Sequence, residues 1–132
     1  MGSGILFVSP DREDATVVSR MLGPLSVSIE YVAGVKEARV KMQSRTYEVI
    51  LTAANLPDGT WLDVLDVARR VAPHAEVIVT DRDADARFWA EALNLGAYDL
   101  IAQPFASGEV QRILGNACAR ASAQHKAIRA TV

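Results

Sequence analysis

The chain has 132 residues, half of them hydrophobic and 23% charged, with a formal net charge of −2. That length suits one domain with a sizeable core, and a mildly acidic chain without a basic run gives nonspecific nucleic-acid binding no footing. No apolar stretch approaches the roughly 20 residues that a bilayer demands and no secretory leader is legible; a single cysteine, Cys118, has no internal disulfide partner, so the expected setting is the cytoplasm.

The first apolar run, GILFV (4–8), reads as a strand. It leads into SPDREDATVVSRMLG, where Ser9 or Asp11 is placed to cap a helix, Pro10 suits its first turn and Gly23 ends it. SVSIEYV (26–32) alternates, with Val27, Ile29 and Tyr31 on one face and Ser26, Ser28 and Glu30 on the other. Alternation marks a strand with one wet side, at an edge of the sheet. The second helix, GVKEARVKMQS, lines up Val35, Ala38 and Met42.

EVILTA (48–53) is apolar almost throughout, as a central parallel strand should be. A loop containing Pro57, Asp58 and Gly59 follows, then a helix from Trp61 to about Val71 with Leu62, Leu65 and Ala68 inward. EVIVT (76–80) is the fourth strand, and a helix from about Ala84 to Leu95 ends at Gly96, a C-cap glycine. YDLIA (98–102) is the fifth strand, and the last helix starts at Ser107 with Val110, Ile113, Leu114 and Ala117 as its buried stripe. Residues 122–132 either extend that helix or fray. Five strands alternating with five helices in a single domain argue for a parallel sheet covered on both faces.

In such doubly wound sheets ligands sit beyond the carboxyl ends of the strands. The candidate site is therefore Ser9, Pro10 and Asp11 after the first strand, Ala53 to Asp58 after the third, Thr80 and Asp81 after the fourth, and Gln103 and Pro104 after the fifth.

The stretches ILFVSPD, YEVILTAANLPDG, VIVT and LGAYDLIAQPF, in that order and spacing, resemble the receiver domains of two-component response regulators over about residues 4–121. The resemblance implies a flavodoxin-like, CheY-like α/β fold: a five-stranded parallel sheet of order 2-1-3-4-5 in a three-layer sandwich with five helices. It also implies a chemistry. A receiver takes a phosphoryl group from a histidine kinase onto an aspartate at the end of the third strand, the nucleophile. Two acids after the first strand hold a Mg²⁺ that neutralises the phosphoryl oxygens, and a lysine and a Ser/Thr receive the product phosphate.

Carried over by position, most of those groups are missing. Ala53 stands at the phosphoacceptor position, Ser9 and Pro10 at the acid pair with Asp11 one place late, and Gln103 at the lysine. Only Thr80 matches. The resemblance further implies a cis bond before Pro104. It places a reporter aromatic at Leu100, with Tyr98 two residues earlier and, by alternation, on the same side of the strand. The expected reading is a pseudo-receiver: fold kept, phosphotransfer lost, with no metal, no cofactor and no enzyme activity.

Several residues have simpler readings. Asp58 is a turn former, and Asp81 or Asp83 is a cap for the fourth helix. His74 and His125 lie away from the site, and Cys118 is a small core residue. The expected function is a signalling module that binds a protein partner, or a second copy of itself, through the fourth helix, fifth strand and fifth helix. Phe88, Trp89, Tyr98 and Leu100 are the candidate contact residues on that face, since the apolar arc of the fourth helix is wider than one buried face needs. The alternative is a small-ligand sensor using the emptied pocket, an idea that rests on Trp61 stacking on a ring.

Overall fold

The computed structural model describes residues 3–130. Seven strands and five helices run in the order β1 (Ser3–Val8), α1 (Arg12–Met21), β2 (Val27–Val32), α2 (Val35–Ser44), β3 (Val49–Ala53), β4 (Asn55–Leu56), β5 (Gly59–Thr60), α3 (Trp61–Val71), β6 (Glu76–Asp81), α4 (Ala86–Leu95), β7 (Asp99–Ala102) and α5 (Ser107–Ala130). Five of the strands make one parallel sheet, ordered β2-β1-β3-β6-β7. Counting only its members, that is the order 2-1-3-4-5. The two-residue strands β4 and β5 form a separate antiparallel ribbon, too short to leave a periodicity in the sequence.

Period-2 alternation divides the apolar side chains between two cores. Leu6, Val8, Ile50, Val77, Val79 and Leu100 face α2, α3 and α4, where Ala38, Met42, Val64, Leu65, Ala68 and Ala92 are buried against them. Ile5, Phe7, Val49, Leu51, Ile78 and Ile101 face α1 and α5, against Val18, Val110, Ile113, Leu114 and Ala117. Both faces are covered, which is why the central strands read as unbroken apolar runs. β2 is an edge strand with half-buried residues at most positions, as its alternation indicates. Among the described residues no helix is long and apolar enough to cross a membrane.

The helix starts correct several expectations. Asp11 caps α1 by accepting from the Glu13 N–H, and Pro10 lies ahead of that cap, not in the first turn. Thr60 and Asp63 form a capping box at the head of α3. That phase turns Trp61 and Val64 inward and leaves Leu62 exposed, not buried. α4 begins at Ala86, two residues later than its periodicity suggests, because Asp85 is the cap and accepts from the Phe88 N–H; neither Asp81 nor Asp83 caps it. Gly96 ends α4 with φ of +114°, a left-handed conformation that favours glycine. α5 continues to Ala130, so the tail extends the helix. Residues 131–132 and the side chain of His125 lie outside the described residues.

Candidate functional site

Register brings the expected residues together. Val8 pairs with Thr52, Ala53 with Thr80 and Thr80 with Ile101, so the carboxyl ends of β1, β3, β6 and β7 meet at one edge. There Ser9, Ala53, Thr80 and Gln103 border an open cleft of about 290 Å³. Pro10 and Asp11 line it as well, and the Gln103–Pro104 bond is cis.

Ser9, Thr80 and Gln103 have hydrogen-bond partners in or beside the cleft. The Ser9 hydroxyl accepts from the Asp11 N–H at 3.1 Å and lies 3.3 Å from the Asp11 carbonyl, while the Ser9 carbonyl accepts from the Tyr31 hydroxyl at 2.8 Å. Thr80 is buried and donates its hydroxyl to the Ile101 carbonyl at 2.8 Å. Gln103 Nε2 lies 3.4 Å from both Thr80 Oγ1 and Asp14 Oδ2, and Gln103 Oε1 accepts from Arg82 Nε at 3.2 Å. Thr80 is thus a hydrogen-bonding and packing residue of the β6–β7 pair.

The comparisons with known proteins agree with this geometry. No family model matches the chain. Over 112 residues it is 24% identical to the response regulator PilR of Pseudomonas aeruginosa, covering 85% of this chain and 25% of that protein. Over 108 residues it is 26% identical to the regulatory protein LuxO of Vibrio cholerae, covering 82% and 24%. The receiver domain of a putative LuxO repressor from Vibrio parahaemolyticus superposes with a TM-score of 0.88 at 17% identity, covering 96% of this chain and 98% of that one. The chain is a receiver-fold relative of the response regulators.

It spans about a quarter of the length of those regulators. Two further receiver structures bear on the site and its surroundings. A receiver domain of a Pseudomonas aeruginosa sensor histidine kinase, with magnesium in its active-site cleft, matches at 26% identity and a TM-score of 0.77, covering 90% of this chain and 99% of that one. The beryllofluoride-activated NtrC4 receiver domain dimer matches at 20% identity and 0.81, covering 89% and 98%.

The residues of this cleft do not supply the acid pair and strand-end aspartate that the resemblance implies for a magnesium ion. Ala53 offers a methyl group, Ser9 is engaged with the backbone of Asp11, and Pro10 has no side-chain oxygen. Asp11 caps α1 through Oδ1, and its Oδ2 lies 3.8 Å from Arg82 Nη2. Among the described residues no three His, Cys, Asp or Glu side chains come together as a metal-binding group. Asp58, although next to the third strand in sequence, does not line the cleft; its carboxylate accepts from the N–H groups of Val35 and Lys36.

Three lining residues lie outside the candidate site read from the sequence: Asp14, Arg82 and Asp83. Asp14 was detectable, since it lies three positions after Asp11 and shares its helix face. Burial, and then the neighbouring Asp11 charge, hold its carboxyl above the ordinary value, against smaller opposing effects of Arg82 and Gln103. Arg82 follows the strand directly and left no such signal.

The expected partner face is present only in part. Trp89 is 47% exposed, and its indole N–H donates to Asp99 Oδ1 at 2.9 Å. Phe88 is half-buried and packs against Trp61, with ring centroids 6.2 Å apart and planes tilted by 53°. Leu100 is 8% exposed and belongs to the core, so it offers no contact surface. Tyr98 does not share its side: Tyr98 packs with the α1–α5 core and Leu100 with the opposite one. β7 starts only at Asp99, so strand alternation does not reach back to Tyr98. Trp61 is 5% exposed in the core and presents no ring to a ligand. Cys118 is buried in the α1–α5 core.

Proposed function

We propose that the chain is a receiver-like signalling module that works by binding a protein partner, without phosphorylation of an aspartate and without catalysis. The observation that carries this reading is Ala53. It closes β3 opposite Thr80, at the phosphoacceptor position, and its methyl group cannot take a phosphoryl. Ser9, Pro10 and Gln103 support it, because the cleft also lacks the acid pair and the lysine that the transfer needs. The likeness to PilR and LuxO supports a role in response-regulator signalling, and the cytoplasm is the setting inferred from the lone cysteine. We infer that the working surface is α4, β7 and α5, with Trp89 as its exposed aromatic. The NtrC4 receiver dimer makes a second copy of the chain one candidate partner.

Acetyl phosphate or beryllofluoride with Mg²⁺ is expected to leave tryptophan fluorescence and melting temperature unchanged. A reproducible shift that EDTA abolishes would overturn the reading.

A further inference from the structure

We propose that Arg82 is a built-in counter-ion that straps the β6–α4 loop across the acidic cleft and holds the loops of that edge in one arrangement. Four carboxylates line the cleft, on Asp11, Asp14, Asp81 and Asp83, and Arg82 is the one cationic side chain among the lining residues. Like charges in so small a space are unfavourable without a cation. The guanidinium fork makes two separate contacts. Its Nε donates to Gln103 Oε1 at 3.2 Å, and its Nη2 lies 3.8 Å from Asp11 Oδ2.

Those contacts tie three segments. Arg82 follows β6 and opens the loop that leads to Asp85 and α4; Asp11 is the cap of α1; Gln103 follows β7. Through its amide nitrogen Gln103 reaches Asp14 and Thr80, so one side chain joins the loop to α1 by two routes. The Arg82 side chain is 74% exposed and Asp11 45%, and an exposed ion pair contributes little to global stability. Arg82 therefore acts on the local opening of this edge, where linked contacts reinforce one another. Serine and proline at positions 9 and 10 give the loops no acid pair to gather a cation, glutamine at 103 supplies no charge of its own, and a tethered guanidinium takes over that role. The strap operates whichever partner the domain binds, and does not depend on the signalling reading.

Native-state amide exchange at Phe88, Trp89 and Gln103, whose N–H groups are bonded to Asp85 and Asp81 at the two ends of this loop, tests this, using wild type, Arg82→Gln, Asp11→Asn and the double variant. Asparagine caps a helix about as well as aspartate, so Asp11→Asn removes the charge and keeps the cap. Each single substitution is expected to raise exchange at these amides at least about fivefold, with β1 and β3 unchanged. The double variant should be no faster than the faster single one, because both substitutions break the same link. Unchanged exchange in Arg82→Gln, additive effects of the two substitutions, or a uniform rise across the domain would each overturn the proposal.

Discussion

The Asp58 carboxylate accepts the backbone N–H of Val35 at 2.8 Å, and that of Lys36 at 3.0 Å. The turn of the β4–β5 ribbon thereby caps α2, whose own N-cap residue, Gly34, has no side chain to do so. The approach is close: a Cβ on Gly34 would come within 2.5 Å of Asp58 Oδ1. Two backbone donors hold the Asp58 carboxyl below its ordinary value of 3.8.

Asp58→Ala should lower the melting temperature by a few degrees, Asp58→Asn by less, and Gly34→Ala should also destabilise. The pH dependence has a definite sign. A carboxyl with a depressed folded pKa contributes fully above its unfolded value, and that contribution fades as the pH falls through the folded one. The gap between wild type and Asp58→Ala in thermal melts should close below about pH 4. An equal gap at pH 7 and pH 3 would show that the cap is not electrostatic.

Asp14 has the opposite sign. Its folded pKa is raised, first by burial and then by Asp11. The native state holds that proton more tightly than the unfolded chain. Its favourable contribution is therefore present below the ordinary carboxylate value and lost as pH rises through the folded one, so at pH 7 ionised Asp14 is a cost. Asp14→Asn keeps an oxygen for Gln103 and removes the charge. Its melting temperature should exceed wild type at pH 7 by about 1–3 °C, with the difference gone near pH 3. A lower melting temperature at pH 7 would mean that Arg82 outweighs both penalties.

The sequence carried the architecture because both cores are written in periodicity. Ile5 and Phe7 alternate with Leu6 and Val8, and Val110, Ile113, Leu114 and Ala117 recur at helical spacing. The strand ends follow from that frame, so Ser9, Ala53, Thr80 and Gln103 were found together. What stayed hidden depends on contacts distant in sequence or on the phase of a cap. Asp58 caps a helix 23 residues earlier in the chain, and Arg82 meets Gln103 21 residues later. Leu62 is exposed, against its expected inward side, because the Thr60 cap sets a helix phase that buries Trp61 and Val64. Tyr98 and Leu100 parted because the strand begins between them.

Restoring acids at the three emptied positions tests the cleft itself. In Ser9→Asp/Pro10→Asp/Ala53→Asp, new carboxylates join Asp11 and Asp14, and like charges at short range repel without a cation. The Ser9 change also removes its hydrogen bonds to the Asp11 backbone. Melting in EDTA should fall by several degrees, and millimolar Mg²⁺ should recover much of the loss by binding the native state. Wild type should melt alike in both. Identical melting of the triple variant with and without Mg²⁺ would show that these positions do not converge.

The last prediction separates two adjacent rings on α4. Side chains at neighbouring helical positions diverge by about 100°, so Phe88 and Trp89 cannot both face the sheet. Phe88 turns inward to Trp61, itself buried beside Val64 and Leu65. Trp89 turns outward, held at its indole nitrogen by Asp99 at the start of β7. An aromatic that is exposed yet fixed in orientation loses little freedom on binding, which suits an interface anchor. Phe88→Glu brings a charge against the core and should cost about 2–3 kcal/mol. Trp89→Glu should stay within about 1 kcal/mol of wild type by denaturant unfolding. In sedimentation measurements of self-association, or in binding to a partner once one is known, Trp89→Glu should weaken the complex at least about tenfold, a common loss for an anchor residue. Asp99→Asn keeps an acceptor for the indole and should bind nearly as wild type. If Trp89→Glu unfolds, the ring is part of the core; if it stays folded and associates as wild type does, the partner docks elsewhere and α4 is only a solvated face.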